Sequence, residues 1–294
     1  MRNRPAVRVG AAVPAAAVGA ALCAALFCAV APAAADDPPA TAPPAPPSAE
    51  LVTDRPDQTE SAAVVPPGSV QLETGIYGAA EGGDPRSETT ALGSTLVRIG
   101  LVEGLELRLG WGGWEHEEEG GAASEGAADA GLGLKVRLWE ARGARPQAAL
   151  LAGVSLPGGE RGRSSERYDP AFRLAFAHDL APGAALGYNL GLAWSSEPAE
   201  PGGGRAGNTT SARLEYTATL GFGLSDRLGA FVELFGDAPV DAPAGAAGPV
   251  HAADAGLTLL VNPRLQLDLA VGAGLTDEAP DRFFTAGLSV RWPR

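Results

Sequence analysis

The sequence predicts an all-β protein, an up-and-down transmembrane β-barrel of about 12 antiparallel strands. Two observations carry that prediction. Twelve stretches alternate apolar with small or polar residues, and the connectors between them run long, short, long, short along the chain. The short connectors are Val102-Glu103-Gly104, Glu140 to Arg145, Ala181-Pro182-Gly183, Ser225-Asp226-Arg227 and Asn262-Pro263-Arg264. The long ones are Ala79 to Ser87, Glu115 to Glu125, Pro157 to Asp169, Ser195 to Gly207, Asp237 to Pro249 and Leu275 to Asp281. A soluble β-protein has no reason to sort its loops by length. A barrel of the outer membrane does, because its tight turns face the periplasm and its long loops face outward.

Residues 1–35 have the pattern of an export signal. Arg2, Arg4 and Arg8 give the positive start, Ala11 to Val30 the apolar stretch, and Ala33-Ala34-Ala35 the small-residue cleavage site. A retained anchoring helix is the alternative, since the apolar stretch could just span a bilayer. Both cysteines, Cys23 and Cys28, fall inside this segment, so the mature chain is expected to be thiol-free, without disulfides or zinc–cysteine sites. Loss of the three arginines leaves 19 basic against 35 acidic residues, a net charge of −16. That sign argues against nucleic acid as a partner, because phosphates need basic surfaces.

Residues 36–49 are rich in Pro and Ala and are expected to form an extended linker. Residues 50–68 follow, holding Thr53-Asp54-Arg55-Pro56-Asp57-Gln58-Thr59-Glu60-Ser61 and Pro66-Pro67-Gly68. Their charges and prolines exclude a membrane strand. The segment is expected in the periplasm or folded into the barrel mouth as a plug.

Residues 69–294 make the barrel. The predicted strands are Ser69–Gly78, Glu88–Leu101, Leu105–Trp114, Gly126–Trp139, Pro146–Leu156, Pro170–Leu180, Ala184–Trp194, Asn208–Leu224, Leu228–Gly236, Val250–Val261, Arg264–Gly274 and Arg282–Trp292. They reach the length a tilted strand needs to cross hydrocarbon, and no apolar run beyond residue 35 could do so as a helix. A secreted β-sandwich also alternates, but its strands are usually shorter, at about five or six residues. Parity assigns the faces. Leu105, Leu107 and Leu109 oppose Glu106 and Arg108; Leu132, Leu134, Val136 and Leu138 oppose Asp129, Lys135 and Arg137. A charge facing lipid near the midplane costs about 2–4 kcal/mol, so the charged faces should line the lumen. Tyr77, Trp111, Trp114, Trp139, Trp194, Phe235, Phe283 and Trp292 lie near strand ends, where aromatic girdles are expected.

Several stretches resemble the outer-membrane transporter family named for the MetA pathway of phenol degradation. They include Thr53 to Ser61, Gln71-Leu72-Glu73-Thr74-Gly75, Gly104-Leu105-Glu106-Leu107-Arg108, Asn262 to Asp268 and Gly274-Leu275-Thr276-Asp277. The resemblance covers nearly the whole mature chain. It implies an outer-membrane barrel passing hydrophobic or aromatic compounds, with no defined substrate. One departure concerns assembly: such barrels usually end in an aromatic residue, whereas Trp292 is followed by Pro293 and Arg294.

Two clusters could carry function. Asp54, Arg55, Asp57 and Glu60 could gate the pore, or could be a salt-bridged lead-in that closes the periplasmic mouth. The lumen-lining candidates are Glu73, Arg98, Glu106, Arg108, Asp129, Lys135, Arg137, Arg173, Arg213, Glu215, Glu233 and Asp268. They could set solute selectivity, or staple a closed interior through complementary pairs. His116, among Glu115, Glu117, Glu118 and Glu119, fits a solvated loop residue better than a metal ligand. His178 and His251 look interfacial. No metal and no cofactor is expected. No Gly-x-Ser-x-Gly, His-Glu-x-x-His or P-loop pattern occurs, which leaves an outer-membrane hydrolase as the weakest of three readings. A passive channel for small solutes leads, and a non-transporting barrel with acidic outer loops is second. The expected partners are outer-membrane lipid, a small-molecule solute and the barrel-assembly machinery, in a Gram-negative-type bacterium.

Overall fold

The computed structural model describes residues 50–83, 85–197, 209–240 and 248–292. The expected export signal (1–35) and linker (36–49), parts of three long connectors, and Pro293 and Arg294 lie outside them. The described chain is strand throughout apart from turns, loops and residues 50–69. The strands are β1 (Val70–Glu81), β2 (Ser87–Val102), β3 (Leu105–Trp111), β4 (Trp114–Glu119), β5 (Ala122–Ala127), β6 (Ala130–Trp139) and β7 (Gln147–Leu156). They continue with β8 (Asp169–Ala181), β9 (Ala184–Glu197), β10 (Thr209–Gly223), β11 (Leu228–Pro239), β12 (Val250–Asn262), β13 (Leu265–Gly274) and β14 (Arg282–Trp292).

All neighbours pair antiparallel, and β1 pairs with both β2 and β14, from Val70↔Trp292 to Ala80↔Arg282. The sheet is therefore closed, with no unpaired edge in its wall. Twelve strands build that wall, because β4 and β5 are not separate wall strands. β2 pairs with β3 over Thr95–Val102 and then with β4 over Ser87–Leu92, so β4 continues the path of β3. Likewise β5 runs on into β6. Gly112–Gly113 and Ala128–Asp129 interrupt the two long strands at one level, tied by Gly112 N to Asp129 O (3.1 Å) and Ala128 N to Gly113 O (2.9 Å).

This corrects the expected loop Glu115–Glu125. Its acidic run is strand, with Glu115, Glu117 and Glu119 on one face and His116 and Glu118 on the other. The two-residue turn Gly120-Gly121 closes the hairpin with φ of 57° and 83°. Both central residues need positive φ in the turn that suits a twisted hairpin, and glycine supplies it. The next long connector is also ordered. Asp129 accepts hydrogen bonds from Gly158 N (3.1 Å), Gly159 N (2.8 Å) and Ser165 N (3.1 Å), and Arg163 pairs with Glu117 at 2.7 Å.

The burial pattern is inverted relative to a soluble protein. Gln71, Glu73, Arg98, Glu106, Lys135 and Ser289 are the inward-facing, fully buried side chains. Leu109, Leu134, Leu190, Leu234, Leu269 and Val271 stand exposed on the outward face. Lipid explains the outside, since an apolar belt belongs against hydrocarbon. Leu134 lies in the middle of β6, so Leu134→Arg is expected to lower stability by about 2–4 kcal/mol. Urea unfolding in detergent micelles checks this; an unchanged midpoint would show that this face meets water.

Candidate functional site

Inward-facing side chains need partners, and residues 50–68 supply them. The densest contact is around Asp54. Its carboxylate accepts from Lys135 Nζ (2.9 and 3.0 Å), Arg108 Nη1 (2.6 Å), and Ser61 N and Oγ (2.9 and 2.6 Å), and lies 3.1 Å from Arg98 Nη1. These three cations come from β2, β3 and β6, which the register sets side by side: Arg98 is opposite Arg108, and Glu106 opposite Lys135. Like charges across a strand pair repel. Asp54 sits where it neutralises them, together with Glu106, which accepts from Arg98 Nε at 2.9 Å and Arg108 Nη1 at 3.1 Å. Burial alone would raise the Asp54 carboxyl, but Arg98, Lys135 and Arg108 outweigh it and hold the group well below the usual carboxylate range.

The segment is held along its length as well. Arg55 donates to Asp268 (3.1 Å) and Thr285 (2.8 Å), and its guanidinium lies flat against bare backbone. A Cβ at Gly75 or Gly287 would come within 2.4 or 2.5 Å of Arg55 Nη2. Gln58 N donates to Glu233 Oε2 at 2.7 Å, and the Thr59 hydroxyl bonds both Glu233 and Thr217. Asn189 grips Glu60 twice: its Oδ1 accepts from Glu60 N (2.7 Å) and its Nδ2 donates to Glu60 O (2.9 Å). The Glu60 carboxylate takes a two-pronged bond from Arg108 Nη2 at 2.8 and 2.9 Å. Val65 N donates to Glu106 Oε2 at 2.8 Å, and Ala62 packs against Ala149, Leu151 and Ala175. Strands from all round the barrel thus hold one short segment.

Asp57 differs from its neighbours. Burial and the carboxylates of Glu233 and Asp254 push its carboxyl well above the ordinary range. Glu233 and Asp254 are direct cross-strand partners on β11 and β12. Both oxygens of Asp254 are buried without a hydrogen-bond partner.

Beside this segment the lumen holds a cavity of about 660 Å³, with Arg55, Glu73 and Arg108 among its lining, and Gly110, Gly131, Gly133 and Gly153 along one wall. A Cβ at Gly110 would meet nothing closer than 3.9 Å. Elsewhere the inward face carries an aromatic cluster, with ring centroids 6.2 Å apart for Tyr77–Phe283 and 5.8 Å for Phe235–Phe283.

The family described as "Putative MetA-pathway of phenol degradation" matches residues 53–292, which takes in the segment and the whole wall. The chain belongs to this family. Among solved structures, an outer membrane channel from Pseudomonas putida F1 is similar with a TM-score of 0.58 at 12% identity, over 78% of this chain and 97% of that one. The translocator domain of the autotransporter NalP from Neisseria meningitidis aligns with a TM-score of 0.49 at 13% identity, over 76% of this chain and 88% of that one. No curated protein matches the sequence. The first of these likenesses establishes the fold: this member of the family is a closed antiparallel β-barrel.

The register puts eleven of the lumen candidates on the inward face, at different places, and Asp129 lies in the break between β5 and β6. Glu73, Arg98, Glu106, Arg108, Lys135, Glu233 and Asp268 contact residues 50–68. Arg173 and Glu215 pair with each other at 2.7 Å beside that segment. The remaining three serve the rims. Asp129 holds the 158–165 loop, Arg213 pairs with Asp237, and Arg137 pairs with Glu103 and Glu140 at a short turn. Asp54, Arg55, Asp57 and Glu60 all lie inside. Tyr77, Phe235 and Phe283, expected in the girdle, instead share the inward face with Glu73 and Glu233, so strand parity overrides closeness to a strand end. Gln71, Asn189, Asp254, Thr285 and Arg291 were not singled out from sequence, yet all face inward. Parity could have found Gln71, which stands two residues from Glu73, but the strands of the other four held no residue assigned inward. His116 has Glu125 Oε2 at 3.7 Å, and among the described residues no three His, Cys, Asp or Glu side chains are placed so that they could hold a metal ion. His178 and His251 stand beside Tyr188 and Tyr216 on the outward face.

Proposed function

We propose that this barrel is an outer-membrane channel for passive passage of small solutes, hydrophobic or aromatic ones among them. In this reading residues 50–68 are its plug. The observation that carries it is the pairing of one short segment with inward side chains from most wall strands, beside a cavity of about 660 Å³. A barrel meant only as an anchor could fill its lumen with wall side chains, whereas here glycines keep one wall bare. The family's tie to phenol degradation and the inward cluster Tyr77–Phe283–Phe235 both support aromatic solutes. The chain reaches its membrane by way of the export signal in residues 1–35 and the barrel-assembly machinery, and its role is transport, not catalysis.

The experiment is conductance in planar bilayers. Wild type is expected to be mostly shut, and a variant lacking residues 50–68 to conduct steadily. If that variant folds, shown by anomalous migration of the unboiled protein on a denaturing gel, and still passes no current, the sealed, non-transporting barrel is the better reading. Flux of phenol-sized and sugar-sized solutes through the deletion variant then ranks the substrate classes.

A further inference from the structure

We propose that the seat of the plug on β11 and β12 is a proton-operated latch: it closes when the carboxyl cluster Asp57, Glu233 and Asp254 holds protons and releases when the cluster loses them. This deepens the plug reading and rests on it. Glu233 and Asp254 face each other directly across the β11–β12 ladder on the inward side. Directly opposed carboxylates destabilise a sheet unless one is neutralised. Asp57 directly precedes Gln58 and Thr59, which both bond Glu233, so seating the plug adds a third acid to this side of the lumen.

The surroundings offer little compensation. Gln58 N and the Thr59 hydroxyl donate to Glu233, but Asp254 is 7% exposed with neither oxygen bonded. Among the described residues no basic side chain forms an ion pair with Asp57, Glu233 or Asp254. Arg173 on β8 touches the cluster only through its field on Glu233, and itself pairs with Glu215. On the plug, Asp54 adds further negative potential, and Arg55 pairs with Asp268 on β13. Three acids gathered without a cation can stay together only if they share protons.

The two ends of the plug therefore respond to pH in opposite senses. Asp57 is raised, so its contribution to seating is complete in acid and is lost as pH climbs past the ordinary carboxylate range. Asp54 is lowered, so its clamp holds above that range and fails only in strong acid. From mild acid to mild alkali the Asp54 end stays fixed while the Asp57 end lets go. The plug then swings on its Asp54 anchor and does not leave the lumen.

Planar-bilayer conductance of the wild type, Asp57→Asn, Asp254→Asn and the variant lacking residues 50–68 tests this from about pH 5 to about pH 8. Wild-type open probability is expected to rise roughly tenfold, the factor for one unit of proton-affinity shift. Each Asn variant mimics the protonated acid, so it should fold readily and stay shut across the range. Glu233→Gln serves as a third neutral replacement, and unboiled gel migration verifies folding of each. The latch is overturned if wild type shows no pH response while the deletion variant conducts, or if all three neutral variants keep the wild-type response. A folded deletion variant that never conducts fails the channel reading instead, and the latch with it.

Discussion

Asp54→Ala is expected to unseat residues 50–68 and to lower the stability of the barrel by about 3–5 kcal/mol. The size follows from what is left behind. Arg98 and Lys135 are fully buried and Arg108 nearly so, and Asp54 is the acid that all three share. Glu106 and Glu60 still answer part of that charge, but Lys135 keeps only the Ser61 carbonyl at 2.9 Å and one ion pair, to Glu60 Oε2 at 3.7 Å. Three cations gathered in a low-dielectric interior with one fewer anion repel strongly, and water must enter to screen them. Water entering means a plug that has moved. Two readouts should therefore shift together: a lower urea midpoint in micelles and a conducting barrel in bilayers at neutral pH. Asp54→Asn should have a milder effect on stability, because the amide keeps the Ser61 contacts and packing while losing the charge. Should Asp54→Ala unfold like wild type and stay shut, the three cations are satisfied by the wall alone and the plug is not what holds them.

The same cluster shows where sequence reasoning succeeds and where it stops. That Arg98, Arg108 and Lys135 face inward was legible from strand parity, whereas the place of Asp54 and Glu60, in the periplasm or in the barrel mouth, was left open. Which charge meets which was not legible either. The match of Asp54 with three cations depends on the stagger of β2, β3 and β6, which sets Arg98 beside Arg108 and Glu106 beside Lys135. No local pattern encodes that stagger. The strands themselves were legible to within a few residues because lipid enforces alternation over a long run. The acidic hairpin β4–β5 was not, since beyond the membrane no apolar face is required and its glutamates resemble a loop. Only Gly120-Gly121 betrayed the turn. Asp254 escaped notice for a related reason: its neighbours are alanine, glycine and histidine, so its strand lacks the contrast that marked Lys135 or Arg108. The inward aromatics were misassigned because Tyr77, Phe235 and Phe283 do lie near strand ends, and only consistent parity along each strand separates lumen from girdle.

Gly100→Leu should expel the plug without altering a single charge. Gly100 lies on the inward face of β2, where its carbonyl accepts from Gly68 N (2.8 Å) and its own N–H donates to Ser69 O (3.0 Å). The chain therefore turns from the plug into β1 directly over this residue. A Cβ placed here would fall 2.0 Å from Pro66 O and 2.5 Å from Val65 O. Both obstacles are backbone atoms, so no side-chain rotation relieves the clash, and residues 65–66 must lift away from the wall. Lifting them breaks the bond from Val65 N to Glu106 Oε2 and exposes Val65, which is otherwise buried. Overpacking of this kind costs about 1–3 kcal/mol, sometimes more. Conductance at neutral pH is expected to rise toward that of the deletion variant, with the Asp54 cluster intact. Gly110→Ala is the matched control. It is also an inward glycine in the next strand, but its new methyl group would meet only backbone at 3.9 Å or more. Its stability and its current should stay at wild-type values. A shut, fully stable Gly100→Leu barrel would mean that residues 65 and 66 do not pass over β2, and hence that charge alone holds the plug. An open one, beside a silent Gly110→Ala, separates fit from charge: backbone packed on bare backbone closes the mouth, and the buried ion pairs fix which segment does so.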